Sequence, residues 1–400
     1  MKVFREGRWR MLALSWHALF LISATSYSAW RIEALRESHL PPTPSIEPRR
    51  VSPRNSRPEL VDSERLHRVL ARLTPDFGSQ RPPINFVDHA LRFWGVTATF
   101  DGDTVLSGAE LRELLLDHRA FAEAWGAETK PFLIPDTRGD GLRFRTRSGP
   151  ATASHVDHTL AGLAEVGTPL DYPVLTPRGE RLLKDAFHQS IREFSLNQEE
   201  YEWSTLVFLH YLSDVPQWYS SEGQLITWDR LAGRLMRQRL NQGVCYGQHR
   251  LYVLAALLQH DAERSCLSES VREDIRAHLA DATARLVATQ HAEGYWDGAW
   301  PGQEREGSAA QNPGPLGSRA DRLLATGHVL EWWAYAPPEA LPADEVLQRT
   351  IEWLSTELET LSAAEIRRYY PFLTHGGRAL ALWSGQQPDL AGADSQRQPR

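Results

Sequence analysis

The alternation of apolar and polar positions divides the chain into three stretches. Met11–Trp30 carries no charged side chain apart from a protonatable His17. His39–Pro58 is rich in Pro, Ser and Arg and nearly devoid of large apolar residues, a composition that cannot build a core and predicts an extended, semi-rigid spacer. From Leu60 onward β-type alternation is scarce, and runs with a helical period are separated by clusters of Gly, Pro and Asp.

Within that third stretch the period predicts two kinds of helix. Gly108–Trp125, Gly179–Phe194, Asp229–Leu240, Ser268–Gln290 and Ala343–Leu361 are amphipathic with one charged face, which places them outside. Val87–Trp94, Val156–Val166, Trp203–Leu212, Gln248–Leu258, Leu323–Tyr335 and Phe372–Trp383 are apolar nearly all round, the mark of buried helices. Alternation of the two predicts an all-α fold, an α/α toroid of about six helical hairpins. No repeat of fixed length is visible, which argues against a solenoid.

The first stretch reads as an export signal, because Lys2, Arg5, Arg8 and Arg10 precede the apolar run against one acid, Glu6. The run to Trp30 is just long enough to span a bilayer, so we read it as a membrane anchor, with a cleaved signal peptide as the alternative. Its basic flank leaves the body outside the cytoplasm, on the periplasmic or extracellular side. The resulting organisation is anchor 1–30, linker 31–58, toroid 59–386 and a disordered tail 387–400. A net charge of -7 leaves no basic face for a phosphate backbone, which excludes nucleic acid as a partner. With only two cysteines, Cys245 and Cys266, the fold must stand on packing rather than on a disulfide framework.

The buried-type helices share one feature. Asp88-His89, His155-Val156-Asp157-His158, Cys245-Tyr246-Gly247-Gln248-His249, Gly327-His328 and His375-Gly376 each place a His near a helix start or a Gly. Parallel inner helices would bring these His to one end of a funnel. A His in such a place also serves as a helix cap or a satisfied core residue, and that reading stays open.

Gln290-His-Ala-Glu-Gly294-Tyr-Trp296, at the end of an amphipathic helix, resembles the Q-W repeat of the squalene–hopene cyclase and protein prenyltransferase superfamily. The resemblance implies an α/α toroid in which Gln caps a neighbouring helix and Trp packs over it. It covers less than a tenth of the chain, and the superfamily's acid motifs are missing, so its cyclase chemistry is not carried over. Its prenyltransferase members imply a zinc held by Asp, Cys and His, with Cys245 and either His328 or His375 in the latter two roles.

The residues themselves also point to metal. Cys245 and His249 lie four apart, on one face of a helix, and a thiolate with a neutral imidazole begins a zinc site that His328 and His375 would complete. The second chemistry is acid–base work on a carbohydrate or small molecule, with His158, His249, Tyr246 and Asp157 as catalytic candidates. In that reading Arg143, Arg145 and Arg147, on a long loop, join Asp88 and His89 in binding the substrate. Asp88 and Asp157 could equally be helix caps. A tethered binding or scaffold protein without catalysis is the rival class.

Overall fold

The structure, a computed structural model, describes residues 2–38, 45–78, 82–136, 141–146, 149, 151–198, 200–212, 214–220, 222–302 and 318–386. The protein is mainly helical, as the apolar period predicts. Its α-helices are α1 (Lys2–Ser38), α2 (Ser63–Arg72), α3 (Ile84–Trp94), α4 (Gly108–Leu116), α5 (His118–Trp125), α6 (His158–Glu165) and α7 (Leu183–Glu193). They continue with α8 (Glu202–Tyr211), α9 (Trp228–Arg237), α10 (Gln248–Arg264), α11 (Glu269–Thr289), α12 (Ser318–Tyr335), α13 (Asp344–Thr360) and α14 (Ala363–Trp383). Among the described residues three short antiparallel hairpins, β1/β2 (Leu133–Pro135, Leu142–Phe144), β3/β4 (Pro173–Thr176, Gly179–Leu182) and β5/β6 (Gln217–Tyr219, Leu225–Thr227), sit in the connections.

Two amphipathic runs are cut by local chemistry. Gly108–Trp125 breaks at Asp117, whose carboxylate accepts from the backbone N–H of Arg119 and Ala120 and so starts α5. Gly179–Phe194 begins as strand β4 before it becomes α7.

The six apolar runs form α3, α6, α8, α10, α12 and α14, and their contacts close on themselves. α3 packs on α6, α6 on α8, α8 on α10, α10 on α12, α12 on α14, and α14 back on α3. Five further helices lie against this ring: α4 on α3, α9 and α11 on α10, α13 on α12 and α14, and α2 on α13 and α14. Close approach of α12 and α14 depends on glycine, since a Cβ at Gly327 would lie 2.8 Å from the Gly376 backbone nitrogen.

The expected spacer is only partly a spacer. Residues 45–58 form an ordered strap across the C-terminal ends of the ring helices. The backbone N–H of Arg49 donates to His210 O, those of Arg54 and Asn55 to Ala334 O, and that of Arg57 to Trp383 O. The Asn55 side chain donates to Trp333 O and Ala336 O, both at 2.8 Å. Helix C-termini leave carbonyls without partners, so a polar strap has a use here that its composition alone does not reveal. Residues 39–44 and the tail 387–400 lie outside the described residues.

The Q-W-like segment is tied to α13 and to the end of α11. Gln290 Nε2 donates to Thr350 Oγ1 at 2.8 Å and Val346 O at 3.3 Å on α13. Trp296 is fully buried, its indole N–H donating to Leu286 O at 2.8 Å. Trp296→Ala should therefore cost about 3–5 kcal/mol, read as a shift in the denaturant midpoint. A loss below about 1 kcal/mol would mean that the ring is dispensable.

The expected anchor is the segment Met11–Trp30. The segment lies within the helix α1, with Leu14, Phe20, Ile22 and Trp30 exposed, but among the described residues no helix is long and apolar enough to cross a membrane. Ser15, His17, Ser23, Thr25, Ser26, Tyr27 and Ser28 dilute its apolar run.

Candidate functional site

Each ring helix contributes one aromatic side chain to a single layer across the ring. In order around it these are His89 (α3), His158 (α6), Trp203 (α8), His249 (α10), His328 (α12) and His375 (α14). Ring centroids of neighbours are 4.9 Å apart for His89–His158, 4.4 Å for both His158–Trp203 and Trp203–His249, and 4.5 Å for His249–His328. His328–His375 at 3.7 Å and His375–His89 at 5.3 Å complete the circle. The histidines singled out by the sequence thus meet, and Trp203, which sequence reasoning missed, is the sixth member.

The partners of Nδ1 fix which tautomer four of these imidazoles take when neutral. His89 Nδ1 lies 2.8 Å from Asn85 O, His158 Nδ1 2.7 Å from Asp88 Oδ2, and His375 Nδ1 2.9 Å from Glu331 Oε2. His328 Nδ1 lies 3.3 Å from the same Glu331 oxygen. A carbonyl or carboxylate oxygen only accepts, so Nδ1 donates in each case. The Nε2 lone pair remains in the neutral form. Burial favours that form, holding His249, His328 and His375 below the ordinary imidazole range and His89 at about 3. His328 Nε2 is buried and has no hydrogen-bond partner among the described residues.

Two groups in this layer could hold a metal ion. In each, Cys245, His249 and His328 or His328, Glu331 and His375, the ligand atoms all lie within 4.8 Å of one another. Electrostatics separates them. Burial alone would push the Glu331 carboxyl up, yet the Arg92 and Arg378 guanidiniums hold it well below the usual range. Arg92 Nη1 is 2.8 Å from Glu331 Oε1, and Arg378 pairs with the same oxygen. A cation on Glu331 would therefore sit among guanidiniums. Glu331 instead fits the role of an outer carboxylate that orients His328, leaving Nε2 for the first group. The backbone helps to place Cys245: Cys245, Tyr246 and Gly247 have φ of 48°, 61° and 75°, a left-handed run that only the glycine adopts without strain.

Beneath the layer, on the strap side, lies a buried ionic floor. Arg92 Nε donates to Glu165 at 2.5 Å, Tyr252 OH to the same carboxylate at 2.5 Å, and Arg378 Nη2 to Tyr335 OH at 2.9 Å. It borders a cavity of about 240 Å³ lined by Arg50, Val51, Arg92, Glu165, Tyr335 and Arg378. The sequence did carry a signal for this floor, since Arg92, Glu331 and Arg378 are charges inside otherwise apolar runs.

Other candidates stand apart from the layer or have partners of their own. Tyr246 is buried with its hydroxyl on Asp321. Asp157 precedes α6 without capping it and accepts from Ser190 Oγ at 2.7 Å and from Ser204. Asp88 is no cap either, being in the second turn of α3 and bonded to His158 and Thr159. Arg143 pairs with Glu193. Arg145 donates to Pro131 O and Ala151 O, both at 2.9 Å, so it ties its own loop together rather than reaching over the layer. Arg147 lies outside the described residues. Compared with family models, with curated proteins and with solved structures, the chain matches none.

Proposed function

We propose that the chain is an exported α/α-toroid enzyme whose axial histidine layer holds a catalytic metal ion, with zinc as the ion that the donors fit. The cyclic order of six buried helices and the Gln290–Trp296 contacts support the toroid reading. One thiolate and two imidazoles, from Cys245, His249 and His328, give the three-ligand set of a catalytic zinc, with a fourth position left for a ligand. The observation that carries the metal reading is that a ring nitrogen of His328 lies within 4.8 Å of ligand atoms of Cys245 and His249, while His328 Nε2 is buried with no hydrogen-bond partner among the described residues. His375 then supports the site through Glu331 rather than as a first ligand. The chemistry such an ion supplies is polarisation of an oxygen in a small-molecule or carbohydrate substrate. The basic N-terminal segment and the exposed apolar residues of α1 support export and contact with a membrane.

Metal analysis of the purified protein tests this reading. About one zinc per chain is expected by the three-ligand argument, with loss on Cys245→Ser and on His249→Ala and an unchanged helical spectrum. Glu331→Gln should weaken zinc roughly 10–100-fold, as removal of an outer carboxylate does. Protein that purifies without metal and rejects added zinc would end the proposal.

A further inference from the structure

The Asp88–His158 pair is the part of the layer that the metal reading leaves unused. Asp88 and His158 are each 2% exposed, and Asp88 Oδ2 accepts from both His158 Nδ1 and Thr159 Oγ1 at 2.7 Å. α6 can come this close because position 162 is glycine; a Cβ there would lie 3.3 Å from Asp88 Oδ1. Trp203 separates His158 from His249, and His89 separates it from His375. His158 is thus outside the three-ligand group yet in the same layer. A buried carboxylate on Nδ1 with Nε2 left as a lone pair is the arrangement of an oriented general base.

We infer that Asp88 and His158 form an acid–base pair that takes the proton from a neutral oxygen acid (water, an alcohol or a hydroxamic acid) as that ligand enters the fourth position of the metal site. The inference rests on the metal reading above. The step balances without a further reactant. The ligand's O–H bond breaks, the proton forms an N–H bond at His158 Nε2, and the oxygen anion binds the cation. The imidazolium is stabilised by the Asp88 carboxylate on Nδ1. Asp88 acts through His158 and is a positioning residue.

The probes are acetohydroxamic acid, which must lose a proton to bind as an anion, and azide, which is already one. Each is titrated into the cobalt(II)-loaded full-length protein and followed by the visible spectrum. Asp88→Asn, which keeps shape and volume, and His158→Gln should each weaken hydroxamate binding about tenfold or more, with azide binding held within about twofold and cobalt content unchanged. Hydroxamate affinity that does not move, or falls together with azide, would overturn the inference and leave the metal site standing. So would loss of cobalt from His158→Gln and not from Asp88→Asn, which would make His158 a ligand. A wild-type protein that takes no cobalt sinks the metal reading and this inference together. The folding of each variant is read from its helical spectrum, and Asp88→Asn alone suffices if His158→Gln is unstable.

Discussion

Replacing residues 45–58 by a Gly/Ser segment of equal length should destabilise the protein by roughly 2–5 kcal/mol, at about 1 kcal/mol net for each side-chain hydrogen bond of Arg49, Arg50, Arg54 and Asn55 removed, with the added glycine entropy weakening the backbone bonds that remain. The strap joins helices that are distant in sequence: Arg49 meets α8, Arg54 and Asn55 meet α12, and Arg57 meets the end of α14. His210 returns a bond through Nδ1 to Arg49 O. The orphaned helix carbonyls would turn to water, and the cavity beside Arg92 and Glu165 would lose its Arg50–Pro53 wall. Asn55→Ala is the point test, because it removes two bonds from one 8%-exposed side chain, and about 1–3 kcal/mol is expected. Denaturant melts of the full-length protein measure both. An unchanged midpoint for the replaced strap would return it to the role of a spacer.

The strap shows why part of this fold was hidden in the sequence. Period and polarity identify a segment by the core it can build, and residues 45–58 build none; they work through backbone N–H groups that every sequence possesses. The ring helices were legible because α8, α10 and α12 are buried along most of their length and so are apolar nearly all round. The histidine layer was legible for a similar reason: polar residues on such helices stand out. Its internal logic was not. Asp88 lies next to His89 in the chain but serves His158, 70 residues away, and Glu331 serves His375 from the neighbouring helix. Asp157, a catalytic candidate next to His158 in the chain, has a left-handed backbone that turns it toward Ser190 and Ser204 instead. Neighbours in sequence on a helix start point to different faces.

Arg92→Ala should cost about 5 kcal/mol at neutral pH, the upper end for breaking a buried ion pair, because it leaves Glu165 without a paired guanidinium and Glu331 with Arg378 alone. Arg92 is paired with Glu165 and Glu331 at 2.5 and 2.8 Å, and all three side chains are 4–6% exposed. Burial pushes the Glu165 carboxyl up, but Arg92 and Arg378 outweigh it and bring the group down to about 2. A carboxyl whose folded pKa lies below its unfolded value, about 4.3, contributes stability in full above that unfolded value and loses it as pH falls toward 2. Without Arg92 the burial term gains ground, so Glu165 titrates at higher pH in the folded state. The variant is then penalised most where the carboxylate must stay charged. The gap between wild type and Arg92→Ala should therefore be widest near pH 7 and narrow as pH falls from about 5 toward 3, where protonation relieves the stranded carboxylate and the wild type begins to lose its own contribution. Arg92→Met with Glu165→Gln removes one charge of each sign and should recover part of the loss. Urea melts between pH 7 and pH 3 read the gap directly; one that stays constant with pH would show that Arg92 contributes by packing its methylenes and not by charge.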